Sequence, residues 1–136
     1  MNNNKGFSLI ELLGVVIVLG IISIIAVVAY SRYIESTRQN AYDTMAKSAA
    51  DAASEYEMDH IGVTEVTFEE LVEGDYLEYP YDPKDKGKQC TGKVEITEEE
   101  KENGLNVDKY DVTVCCATYN YVYHFPEGKK QIAICE

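Results

Sequence analysis

Nineteen consecutive residues, Leu12 to Tyr30, carry no charge, and this run limits the fold more than any other feature of the chain. As a helix it reaches about 28 Å, close to the hydrocarbon thickness of a bilayer. Between Phe7 and Tyr30 the only polar side chains are Ser8, Glu11, Ser23 and the Tyr30 hydroxyl. A helix that is apolar all round must be covered all round, by lipid or by protein. A removed secretory signal is one competing reading, since Val27-Val28-Ala29 could pass as a small-residue cleavage site. A plain single-pass anchor is the other. The apolar run is longer than a signal core of roughly 7–15 residues, and Glu11 interrupts it. Both facts favour a retained segment.

Beyond the run the chain is ordinary and acidic. The formal net charge is −12 over 136 residues, with nearly all the acid after residue 34. Phosphate contacts need lysine and arginine, so no direct nucleic-acid partner is expected. Residues 31–60 contain neither proline nor glycine. Apolar or small residues recur there at Ile34, Ala41, Met45, Ala49, Ala52 or Ala53, and Tyr56, which is the stripe of an amphipathic helix. Arg38, Asp43, Lys47, Asp51 and Glu55 occupy the opposite face. Read as one element, the helix runs from about Phe7 to His60 and measures roughly 80 Å.

Thr67-Phe-Glu-Glu70 has the form of a capping box, opening a short helix that ends at Gly74. Residues 76–89, with two prolines and several turn formers, read as a loop. Strands are expected at Lys93–Thr97, Tyr110–Ala117, Tyr121–Phe125 and Gln131–Cys135, with turns at Asn103-Gly104 and Pro126–Lys129. The expected fold is α+β: a long N-terminal helix whose amphipathic half packs on a small antiparallel sheet of about four strands.

The opening residues carry a specific pattern. Lys5-Gly6 leads into Phe7-Ser-Leu-Ile-Glu11-Leu-Leu, and this resembles the N-terminal signature of type IV pilins and pseudopilins. The resemblance covers about 25 residues, and the layout of helix, loop and small sheet is similar too. It implies a leader at 1–6, a transmembrane and filament-core half-helix at 7–30, and a globular pilin domain at 31–136. It implies cleavage after Gly6 by a prepilin peptidase and N-methylation of the new terminus at Phe7. It further implies that Glu11 pairs with the Phe7 amine of another copy during assembly. A lone carboxylate in hydrocarbon costs several kcal/mol, and such a pair offsets part of that cost while penalising a wrong register.

The partners implied are copies of this chain in a helical filament, the peptidase and methyltransferase, an assembly ATPase with its platform protein, and the bacterial cytoplasmic membrane before assembly. The N-terminus would lie inside before assembly, and the finished pilus outside the cell. A pseudopilin of a type II secretion or competence DNA-uptake filament has the same signature, and Tyr79-Pro-Tyr-Asp-Pro83 is similar to a loop of major pseudopilins and of some pilins. A membrane-anchored binding domain that never polymerises is the third reading. One element of the family pattern is missing: many members carry a proline near the end of the apolar half, whereas Ile25–Tyr30 has none.

Four cysteines, Cys90, Cys115, Cys116 and Cys135, lie in the part expected outside the membrane, where disulfides persist. Adjacent strand residues point to opposite faces, which disfavours a 115–116 bridge. The pairings 90–115 with 116–135 and 90–116 with 115–135 both stay open. Zinc ligation by these cysteines, with His124 or His60, is disfavoured because no two of the cysteines have ligand spacing. Asp82 and Asp85 could ligate calcium, as loops of some pseudopilins do, but without EF-hand spacing a solvated turn is expected. The tyrosines, with Tyr119, Tyr121 and Tyr123 alternating on one strand face, read first as packing and secondly as a contact surface for neighbours or a receptor. No residues combine into a catalytic constellation, so no enzyme, cofactor or metal is expected.

Overall fold

The computed structural model describes residues 5–135. Its elements are a helix α1 (Leu9–Asp59), a short strand β1 (Glu65–Thr67), a helix α2 (Phe68–Glu73), and strands β2 (Thr91–Glu100), β3 (Asn106–Cys115), β4 (Asn120–Phe125) and β5 (Lys129–Ile132). The fold is α+β. Two compact units are distinguished, one ending at Gln39 and one beginning at Asn40, with α1 contributing to both. Of the leader expected at 1–6, residues 1–4 lie outside the described residues.

In the first unit α1 is apolar and uncovered. From Leu9 to Tyr33 every residue is exposed in the single chain. Ser23 and Ser31 turn their hydroxyls back onto the carbonyls of Leu19 and Val27, so these two polar side chains are satisfied inside the helix. Among the described residues α1 is the one helix long and apolar enough to cross a membrane.

The second unit is built on a five-stranded antiparallel sheet in the order β1-β2-β3-β4-β5. Its core combines Tyr42, Ala46, Ala49, Ala50, Ala52 and Ala53 of α1 with Val66, Phe68, Leu71, Val94, Ile96, Val112, Val114, Tyr119 and Tyr123. The helix stripe is centred one residue away from the expected one. Ala41, Met45 and Tyr56 flank the core, while Tyr42, Ala46 and Ala50 fill it. Alanines favour helix and keep the helix surface low, so strand side chains meet it closely.

The sheet has one strand more than the four expected. β1 is three residues long, too short for an alternating pattern to stand out, and only Val66 of the three is buried. β2 runs on to Glu100, three residues beyond the expected Thr97, because Thr97–Glu100 find backbone partners in Asn106–Lys109. The turn that follows is the expected one, with Gly104 at φ +76° and its N–H on the Lys101 carbonyl. The last strand lies earlier than expected, at Lys129–Ile132 rather than 131–135. The capping box at Thr67 and Glu70 is present in both directions.

Candidate functional site

Lys5 to Ser8 precede the helix in non-helical conformation, and Gly6 and Phe7 are exposed. The Gly6–Phe7 peptide is therefore outside helical hydrogen bonding. α1 begins at Leu9, which makes Ser8 its N-cap and Glu11 its third residue. The Ser8 N–H and Ser8 hydroxyl donate to Glu11 Oε2 at 2.9 and 3.2 Å, and the Glu11 N–H donates to Ser8 Oγ at 3.3 Å. This is a reciprocal capping box. It places a carboxylate in the first turn, where the helix dipole favours negative charge. Ser-Leu-Ile-Glu fits the S-x-x-E pattern that sequence reasoning read at Thr67 but not at Ser8.

The cysteines pair as Cys90–Cys116 and Cys115–Cys135. Strand alternation explains the choice. Cys116 follows Val112 and Val114 on the buried face and meets Cys90, which is also buried. Cys115 points to the other face and ties down the chain after β5.

Asp82 departs from the solvated turn expected of it. It is 1% exposed. Its Oδ1 accepts from the Tyr42 hydroxyl at 2.5 Å and from the Lys84 N–H at 2.9 Å. Burial alone raises its pKa, but the Tyr42 bond and backbone N–H groups outweigh burial and hold it below the ordinary carboxylate range. Asp85, by contrast, is exposed, accepting from the Gly87 N–H and facing Lys88. Sequence alone offers little sign of the difference, since Tyr42 lies forty residues upstream.

An Asp82 carboxylate oxygen and the sulfurs of Cys90 and Cys116 lie within 4.8 Å of one another. Both sulfurs are spent in one disulfide, so the cluster offers no thiolate to a metal.

A second polar group joins α1 to β4 and β5. Tyr123 donates to Asp43 Oδ1 at 2.7 Å, Tyr119 and Tyr123 share a hydrogen bond, and Lys130 reaches both Asp43 and the Tyr119 hydroxyl. Burial, then the Tyr119 and Asp43 contacts, raise the Tyr123 pKa. Asp43, placed by the sequence on the solvent face, therefore works at the edge of the core. Tyr119 and Tyr123 are buried and Tyr121 half-buried, in keeping with packing. His124 faces Asp111 at 2.6 Å.

Residues 1–29 match the family model for the prokaryotic N-terminal methylation motif. The match supports a type IV pilin- or pseudopilin-like leader, and the motif marks structural proteins rather than an enzyme family. No curated protein and no solved structure matches the chain.

Proposed function

We propose that the chain is the structural subunit of a type IV pilus, cut after Gly6, methylated on the Phe7 amine and polymerised into an extracellular filament. The observation that carries this reading is the apolar half of α1, exposed on every side in the single chain behind a leader with the methylation motif. Such a surface needs two successive covers: lipid before assembly and the same half of other copies afterwards. Exchange of lipid for protein changes hydrophobic burial little, so packing and polar pairing set specificity. Extraction from the membrane then calls for an assembly ATPase and its platform protein.

Cleavage after Gly6 would leave the Phe7 amine next to the Ser8–Glu11 box. The carboxylate fixed there by Ser8 is a partner for the amine of an adjacent copy, and an unpaired charge in a misaligned subunit is penalised. The pseudopilin reading uses the same leader and helix, and the Tyr79–Pro83 loop fits it as it fits a pilin. A non-polymerising anchored domain is the third reading.

Mass spectrometry of sheared surface material is the deciding experiment. The expected chain begins at methylated Phe7, with both disulfides formed. A chain that begins at Met1 or Tyr30 would overturn the proposal. Fibres that are short and never detach would move the reading to a pseudopilin.

A further inference from the structure

A largely apolar pocket of about 290 Å³ opens at the start of β2, lined by Phe68, Val72, Tyr79, Pro80 and Gly92, with Glu69 its one charged lining residue. Beside it runs a basic loop. Tyr81 and Gln89 bridge the loop at its base, and Gln89 also lines the pocket, so the loop carrying Lys84, Lys86 and Lys88 leaves the fold beside it. All three lysines are exposed. Lys88 reaches Asp85 at 3.4 Å, and Lys84 and Lys86 make no ion pair among the described residues. Tyr79 and Tyr81 are exposed as well, with their rings 6.3 Å apart. Exposed tyrosines around an apolar pocket are the residue type that anchors protein interfaces.

At the other end of β2 the chemistry is the reverse. The β2–β3 hairpin carries Glu98, Glu99, Glu100 and Glu102. Glu99 engages Lys109, while Glu98, Glu100 and Glu102 make no ion pair among the described residues. Leu105 projects from the same turn and is 62% exposed. The hairpin thus offers an apolar side chain set among carboxylates, and the pocket offers an apolar recess, with Glu69 in its lining, that adjoins the loop carrying Lys84, Lys86 and Lys88. The ten residues of β2 keep the two about 30 Å apart, so a chain cannot satisfy its own pocket.

We infer that the pocket and the 84–88 loop are a docking surface for a second copy of this chain, whose acidic hairpin sets Leu105 in the pocket and its glutamates against the lysines. The inference rests on the filament reading and deepens it. Two different patches on one chain make a heterologous contact, which repeats without closing and suits an open filament. It also answers a problem of charge. The full chain has a net charge of −12 and loss of Lys5 with the leader makes each copy more acidic still, so copies repel one another, and contact through Lys84, Lys86 and Lys88 turns part of that repulsion into attraction.

Zero-length carbodiimide cross-linking tests this without any substitution. Filaments are grown from an equal mixture of ordinary and nitrogen-15-labelled chains, sheared, cross-linked and digested. The expected products join Lys84, Lys86 or Lys88 to Glu98, Glu100 or Glu102 and carry one light and one heavy peptide. Filaments that yield no such mixed links overturn the inference and leave the filament reading standing. Absence of any filament overturns both.

A charge swap supplies a second readout. Lys84→Glu, Lys86→Glu and Lys88→Glu together are expected to lower filament yield about tenfold at an unchanged membrane level. Adding Glu98→Lys, Glu100→Lys and Glu102→Lys is expected to restore it. Equal yield in the first variant, or no recovery in the second with both variants folded by circular dichroism, counts against the contact.

Discussion

Tyr42 on α1 donates its hydroxyl to Asp82 Oδ1 at 2.5 Å, joining the helix to a loop forty residues later in the chain. Both side chains are buried, and the Tyr42 ring stacks on Tyr119 at 3.8 Å. Three other phenols repeat the device: Tyr123 on Asp43, Tyr110 on Glu57 and Tyr76 on Asp59. Every one of these four contacts joins the polar part of α1 to a segment that comes later in the sequence. The alanine face of the helix gives closeness but little directional preference, and the phenol–carboxylate bonds supply it.

Tyr42→Phe removes the hydroxyl and leaves a buried carboxylate short of a donor. A loss of about 1–3 kcal/mol is expected, which lowers Tm by about 5–20 °C for a domain of this size. Thermal unfolding of the full chain in detergent, followed by near-ultraviolet circular dichroism, reads it. An unchanged Tm would mean that the bond adds nothing to stability.

Asp82 also predicts a pH dependence. Its folded pKa is lowered, so its contribution is complete above the unfolded value of about 3.9 and is lost as pH falls through the folded pKa. Stability should therefore drop below about pH 4, and Asp82→Asn should flatten that drop while costing stability at neutral pH. Denaturant titrations between acid and neutral pH compare the two chains. Parallel curves would show that other carboxylates govern acid unfolding.

The α+β class, the long helix, the Thr67 capping box and the Asn103-Gly104 turn were legible because each rests on a local pattern of period, cap or turn. β1 was not, since three residues carry no period and its pairing with β2 is a tertiary fact. The fate of Asp82 turns on Tyr42, and its sequence neighbours suggest a solvated turn. Alternation along β3 already puts Cys116 on the apolar face, but the pairing also needed the burial of Cys90 at the end of the loop and the place of Cys135, which lies beyond β5 and has no strand period to assign its face. The Ser8–Glu11 box is a local S-x-x-E pattern too, but it lies at the head of an apolar run, where the carboxylate stands out as a charge before it stands out as a cap.

Glu11 has two separable roles, cap and charge. Glutamine at the third helix position still completes a capping box, whereas leucine does not. Glu11→Gln should keep the helix start and lose the pairing charge. Glu11→Leu should lose both. Under the filament reading both variants insert in the membrane normally and both fail to give surface fibres. Immunoblots of membrane and sheared fractions make the comparison. Normal fibres from Glu11→Gln would assign the residue to capping alone.

Gly92 tests how closely the sheet is packed where β2 begins. It pairs with Val114 in β3. A Cβ built there falls 2.1 Å from the Thr113 carbonyl oxygen and 2.9 Å from the Phe68 ring. The ring could turn aside, but the carbonyl belongs to the β2–β3 ladder and cannot move without breaking it. Gly92→Ala should therefore cost about 3 kcal/mol, mostly from displaced backbone. Because the Cys90–Cys116 bridge closes beside this site, the strain should also expose the bridge. Thiol labelling after mild reduction should find Cys90 and Cys116 modified sooner in Gly92→Ala than in the parent chain, with Cys115 and Cys135 unchanged. Equal labelling and equal stability would mean that the strand relaxes around the methyl group and that the approach of β2 to β3 is softer than its geometry implies.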